Sequence, residues 1–456
     1  MSPKQPLFML EFNELSPTLL DEFMAAGHLP NFTKLYESSE IFLTDSQAAA
    51  PYLEPWVQWP TVHLGVSHES HRIVHLGDDP AQDSPLLGEV LSAAGVKVGI
   101  CSSMNVDYKE LDGFFIPDAW NARSRPRPER LSAFHDAVAT QVQESSRSET
   151  VGRSSLVKLG AFLLRSGLSL KTVKLVLSQL WDERGDGSVR WRRASLLDHL
   201  QYDVFKHLVR KDDVAFATFF SNSTAHYQHY YWRHMRPELF EQGPQDDESP
   251  SLEGAILFGY QSMDRLLGRF LSDFPDVRLV FATGLSQEPW SSTAKTMYRP
   301  HKFDDMLRFA GIDTRLVEIH PVMAEEFSVK FPSSEAAQAG QRKLADLVVR
   351  DGRPLMKTDL RDDSVFTGCA LIDVTDAQAE VIAPDGSSVP LSSLFYRIHT
   401  VRSGWHNPIG ALWVRNHHHT VHEEPVLLTD IAPTVLAHFD VDPATSMTGS
   451  PLALAS

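Results

Sequence analysis

The sequence predicts an α/β protein, with a mostly parallel central sheet, helices on both of its faces and a helical insertion. Three observations carry this. Short apolar runs of strand length alternate with longer runs of helical period, glycine or polar residues separate them, and one long stretch loses the strand signal altogether.

Pro6 to Phe12 reads as a buried strand. Leu19 to Ala26 has helical periodicity, and Gly27 supplies the stop, so the chain opens with a βα unit. The rhythm returns with a helix over Leu86 to Ala94 and a strand over Val96 to Cys101. It recurs with a helix over Tyr202 to Val209 before a strand over Val214 to Phe220, and again with Ile256 to Leu271 before Arg278 to Ala282. Ligands of such sheets collect beyond the carboxyl ends of the strands.

Between Arg123 and Leu200 the strands give way to amphipathic stretches and Arg/Pro/Ser-rich linkers, read as a helical insertion or cap. The expected organisation is therefore residues 1–122 and 201–456 as two parts of one core, 123–200 as the insertion, and a smaller insertion around 315–395. Within the cap, residues 156–181 read as helices packed on the core. The alternative is a membrane-surface helix, with Lys158, Arg165, Lys171 and Lys174 flanking an apolar face. Gln242 to Glu253 is acidic and reads as an exposed loop.

The formal charge of −17 argues against nucleic acid as a partner, because phosphate backbones are bound by basic surfaces. The balance is uneven: Asn121 to Asp213 holds 17 Lys and Arg against 11 Asp and Glu. Cys101 and Cys369 are the only cysteines, too few for a disulfide framework. With neither a secretory pattern nor a long uncharged apolar run, cytoplasmic residence is expected.

Four collinear segments carry a resemblance. They are Leu10-Glu-Phe-Asn-Glu-Leu-Ser-Pro with Gly27-His-Leu-Pro-Asn-Phe; Trp59 to Ile73, ending Gly65-Val-Ser-His-Glu-Ser-His-Arg-Ile; Asn222-Ser-Thr-Ala-His-Tyr-Gln-His-Tyr-Tyr-Trp; and Gly404-Trp-His-Asn-Pro-Ile-Gly with Leu428-Thr-Asp-Ile-Ala-Pro-Thr-Val-Leu and Thr448-Gly-Ser-Pro-Leu. Together the chain resembles the phosphodiesterase/nucleotide pyrophosphatase branch of the alkaline phosphatase superfamily. The resemblance implies an alkaline phosphatase-like fold and a hydrolase of phosphate or sulfate esters. It also implies two zinc-like ions, held by Asp and His, that align a hydroxyl or modified-Cys nucleophile.

This sequence departs from that pattern at several positions. Asn13 and Asn222 stand where the resemblance implies aspartates, His226 and His406 match its ligand histidines, and Thr283 and Gly284 replace an Asp-His pair. The nucleophile position falls on Pro55, and Thr61, the nearest hydroxyl, is further along the helix. The residues then allow three readings. One divalent ion, zinc or manganese, is held by His226, His406 and a carboxylate such as Glu11, with Glu14 a further candidate for turning inward; Asn13 and Asn222 complete the site. Alternatively, a metal-free glycoside-type hydrolase uses Glu54 and Glu11, with Gln58 and His229 nearby. The third reading is a non-catalytic binder. The expected partner is an anionic or sugar-containing small molecule, with Trp56, Trp59, Trp120, Trp232 and Trp405 near the motif loops as apolar platforms.

Four polar groups have simpler readings. Asn13 is also a candidate helix cap. His63, His68, His71 and His75 are expected at the surface or as caps, and His417 to His419 with His422 as solvated. Arg123, Arg125, Arg127 and Arg130 read as a hinge or a phosphate-recruiting cluster.

Overall fold

The computed structural model describes residues 4–455 except 82–83, 122–123, 145–159, 161, 164–165, 242, 245–247, 291–296, 322–325, 373 and 399–401. Lys158, Arg165 and Arg123 thus lie outside the described residues. The chain divides into two compact units, one formed by Met1–Gln141, Val151–Trp290 and Ser403–Ser456, the other chiefly by Ser291–Arg402.

In the first unit the strands are β1 (Leu7–Phe12), β2 (Ser39–Asp45), β3 (Val98–Cys101), β4 (Gly113–Ile116), β5 (Phe216–Ser221) and β6 (Arg278–Ala282). They continue with β7 (Ser286–Pro289), β8 (Gly404–Asn407), β9 (Ile409–Arg415), β10 (Thr420–Val421) and β11 (Val426–Leu427). The central sheet runs β10-β2-β9-β6-β1-β5-β3-β4, with β11 also beside β2. β6, β1, β5, β3 and β4 are parallel to one another, and β9 runs antiparallel between β2 and β6. A parallel sheet is covered on both faces, which is why β1 and β5 are buried at every residue.

The helices that matter for the site are α1 (Pro17–Ala25), α2 (Pro55–Leu64), α3 (Leu170–Gly185), α4 (Ala194–Asp212), α5 (Ser223–Met235) and α6 (Ala255–Asp273). Gly27, at φ +74°, takes the left-handed conformation that ends the segment after α1. The helices and strands expected from periodicity are present, with α4 starting at Ala194 rather than Tyr202, and the α/β class with a mostly parallel sheet is the observed one. Leu7, Met9, Val98, Ile100, Phe216 and Val280 pack into a core shared with Trp59, Val62 and the helix Ile431–His438.

The second unit has its own core. A four-stranded antiparallel sheet runs in the order Met356–Arg361, Ser364–Cys369, Glu326–Lys330, Glu318–Pro321. Phe327, Val329 and Val365 from this sheet and Leu344 from the helix Ser334–Ala345 belong to that core. Gly340 of the helix admits the Phe331 ring, which a Cβ there would meet at 2.2 Å.

Candidate metal centre

Three neighbouring parallel strands end together: Phe12 of β1 is in register with Ser221 of β5, and Glu11 with Ala282 of β6. The residues that follow, Asn13 and Glu14, Asn222, and Thr283 and Gly284, therefore lie side by side at the carboxyl edge. Glu14 has φ +62°, a conformation that costs a non-glycine residue on the order of 1 kcal/mol. Its backbone is held there from two sides. Glu14 N donates to Thr283 O at 3.1 Å, and Gln228 Nε2 donates to Glu14 O at 2.7 Å. The turn aims the carboxylate across the strand ends.

Two imidazoles meet it. His229 Nε2 on α5 lies 3.2 Å from Glu14 Oε2, and His406 Nε2 on β8 lies 3.4 Å from the same oxygen. Glu14, His229 and His406 are the group of metal-type donors found among the described residues, all within 4.8 Å of one another. Glu14 and His406 are buried; His229 is half-buried with its side chain 19% exposed, and Glu54 at the start of α2 is 21% exposed. Solvent thus reaches the cluster from the side of His229 and Glu54.

A second layer fixes these donors. His406 Nδ1 faces Glu54 Oε2 at 3.3 Å, the carboxylate behind an imidazole that orients histidine ligands. Gln287 Nε2 donates to Glu14 Oε2 and, at 3.1 Å, to Ala225 O. Asn13 Nδ2 donates to Glu14 Oε1 at 2.7 Å. Tyr260 Oη donates to Gln228 Oε1 at 2.8 Å, closing the net beneath Glu14. β7 and β8 form a two-stranded ribbon in which His406 opposes Gln287, so one register sets both groups. The ribbon lies so close to α5 that a Cβ on Gly404 would come 2.3 Å from Gln228 O.

Burial pushes the Glu14 carboxyl up, yet the charges of His406 and His229 and their hydrogen bonds outweigh it and hold it well below the carboxylate range. A depressed acid stabilises the fold above its unfolded pKa, and the contribution is lost as pH falls through the folded value. Glu14 is therefore anionic at neutral pH and ready for a cation.

Three-ligand sites of two histidines and one glutamate are a known zinc arrangement, and ligand bonds of roughly 2.0–2.1 Å in a tetrahedron set neighbouring donors about 3.3–3.4 Å apart. The two distances from Glu14 Oε2, 3.2 and 3.4 Å, match two of those edges, and both are longer than a charge-assisted hydrogen bond prefers. Among the described residues a second ion has no comparable donors. Asn13 Nδ2 donates to Asn222 Oδ1 at 2.7 Å and Trp59 Nε1 donates to Asn13 Oδ1 at 2.7 Å, so both amide oxygens already accept hydrogen bonds. Thr283 Oγ1 accepts from Ala411 N at 2.8 Å. The residues fit one ion and not the pair.

The sequence-derived site is thus only partly assembled. His406, His229 and Glu54 come together, with Asn13 and Asn222 bonded at their edge. Asn13 does not cap a helix, because α1 begins after Ser16. His226 is exposed beside Tyr230, at 5.0 Å between ring centroids, and does not join the cluster. The helical period explains this: Ala225, His229 and Trp232 share one face of α5, and His226 is a quarter turn off it. Glu11 is also elsewhere. His63 Nε2 lies 2.8 Å from Glu11 Oε1 and His63 Nδ1 2.6 Å from Tyr108 Oη, all fully buried. Gln58 Nε2 donates to Tyr52 O at 2.7 Å and supports the loop before α2. Nothing in residue type distinguishes Glu14 from Glu11 until the turn is known.

His63 and His71 are buried, against the expectation of surface or capping roles. Thr61 Oγ1 lies 3.1 Å from Val57 O and 2.9 Å from His71 Nε2, while His71 Nδ1 accepts from Ile73 N at 3.1 Å. That acceptor role puts the ring proton on Nε2, pointing at Thr61, so His71 is no base for this hydroxyl. Burial, aided by His68, lowers the His71 pKa to about 4. Below pH 6.5 the unfolded chain then takes up a proton that the folded one refuses, so stability is lost as pH falls from there towards 4. Between pH 7 and 5 this amounts to about 2 kcal/mol. Urea titrations should show His71→Gln losing about 2 kcal/mol less than the parent over that interval; equal losses would contradict the assignment.

No family model matches the chain, and no curated protein does. Among solved structures it is similar to murine ectonucleotide pyrophosphatase/phosphodiesterase 5, at 10% identity, TM-score 0.43 and 98% coverage of both chains. An inactive form of that murine protein in complex with AMP gives 11% identity and TM-score 0.43, again with 98% of each chain covered. The human counterpart gives 8% identity and TM-score 0.43, covering 98% of this chain and 97% of its own.

Proposed function

We propose that the chain is a hydrolase of phosphate or sulfate esters of small anionic or sugar-containing molecules, working with one divalent ion held by Glu14, His229 and His406. The observation that carries this is the convergence of one carboxylate oxygen and two imidazole nitrogens, within 4.8 Å of one another, beyond the carboxyl ends of parallel strands. Of zinc and manganese, the donor set and spacing favour zinc. When bound, such an ion polarises an ester oxygen and lowers the pKa of water.

The chain's own residues do the rest. Glu54 holds the His406 ring in place through Nδ1, Gln287 and Asn13 fix the two oxygens of Glu14, and Trp59 holds Asn13. No side-chain hydroxyl stands at Pro55, and the Thr61 hydroxyl is engaged by Val57 O and His71. Attack is therefore assigned to water, without a covalent intermediate on the protein. The carboxylate-pair reading has less support, because Glu11 and Glu54 each face a different imidazole.

A panel of aryl phosphates, bis-aryl phosphates, aryl sulfates and aryl glycosides separates the readings. Ester turnover that a chelator stops and zinc restores is expected, with no glycoside cleavage. Chelator-independent glycoside cleavage would contradict it. Ligand-induced thermal stabilisation without turnover of any substrate would make the chain a binding module.

A further inference from the structure

Helix α3 is amphipathic in the wrong sense for a helix packed on a core. Its buried residues are Thr172 and Gln179, and Gln179 Nε2 donates to Val189 O at 3.0 Å. While Val173, Leu175 and Val176 are half-buried, its most exposed large apolar side chains are Leu170 at 79%, Leu177 at 60% and Trp181 at 74%. At 3.6 residues per turn these three fall within about 40° of one another, roughly half a turn from Thr172 and Gln179. Surface helices place apolar residues towards the core, so this stripe faces away from the described residues of its own unit.

Charge narrows what that is. Lys171, Lys174 and Arg184 are exposed around the stripe, and no acid falls on the arc of the helix between them. Asp182 lies outside it, and Glu183 is paired with Arg193. The surrounding segment from Asn121 to Asp213 has six more basic than acidic residues in a chain of formal charge −17. A second copy of the helix would bring like charges together. No helix among the described residues is long and apolar enough to cross a membrane. Leucines with an exposed tryptophan and rim cations match the boundary between acyl chains and anionic headgroups.

We propose that α3 is a membrane-surface helix that docks the chain on an anionic bilayer, with Leu170, Leu177 and Trp181 in the acyl boundary and Lys171 and Lys174 at the headgroups. The test is flotation of the full chain with phosphatidylcholine vesicles, with or without about 30% phosphatidylglycerol. The chain should float with the anionic vesicles at low salt, at least about tenfold more than with neutral ones, and less as salt is raised. The pairs Leu177→Ser/Trp181→Ser and Lys171→Glu/Lys174→Glu should each reduce flotation about tenfold, with thermal unfolding and hydrolysis of soluble esters unchanged. Folded parent protein that stays at the bottom with anionic vesicles would overturn the proposal. So would undiminished flotation of both pairs, or a dimer in light scattering that Trp181→Ser converts to monomer.

Discussion

Glu14→Gln is expected to abolish ion retention and to lower ester hydrolysis by on the order of 10³-fold, the loss of several kcal/mol of transition-state stabilisation. The substitution keeps the side chain's size and removes the charge on which His229 and His406 converge at 3.2 and 3.4 Å. Glu54→Gln provides the contrast. Glu54 touches His406 Nδ1 and acts through that ring, so its loss should weaken the ion by about 10- to 100-fold and be overcome by added zinc. If Glu54→Gln were inactive at saturating zinc, with the ion retained, Glu54 would be a catalytic carboxylate. A structural role for Glu14 is distinguished by thermal unfolding. Zinc should raise the parent's midpoint and leave that of Glu14→Gln unmoved.

The second large effect is on stability. Glu11, His63 and Tyr108 form a fully buried chain between β1, α2 and the segment after β3, with contacts of 2.8 and 2.6 Å. Burial, then the Glu11 charge, raises the Tyr108 pKa well above its usual value, so the phenol stays protonated. Glu11→Leu strands the His63 Nε2–H without an acceptor, at a cost of about 3 kcal/mol or more. The double substitution Glu11→Leu/His63→Leu removes both polar groups and should recover much of that loss. Chemical denaturation of the two variants measures the difference. A double variant no more stable than Glu11→Leu would show that packing, not the buried polar pair, sets the cost.

The fold was legible because its signals are local and redundant. β1 and β5 are short apolar runs, Gly27 stops the first helical segment, and helices and strands alternate. Half of the site was legible for the same reason: the motif positions of His406, Asn13 and Asn222 lie at the ends of such runs. What was not legible depends on geometry that residue type does not encode. Glu11 and Glu14 are both acids near the end of β1, and only the φ of +62° at Glu14 sends one into the site while the other stays under the sheet with His63. The choice of His229 over His226 needed the face of α5, which Ala225 and Trp232 at helical spacing define. The burial of His63 and His71 was not legible because histidine is intermediate between buried and exposed types, and their partners lie 52 and 10 residues away in sequence.

Anomalous diffraction from crystals of protein purified without chelator tests the central claim most directly. The account predicts one zinc peak per chain, about 2.0–2.2 Å from Glu14 Oε2, His229 Nε2 and His406 Nε2. A map with no peak at zinc-saturated conditions, or a peak on His226 and Asn222 instead, would contradict it.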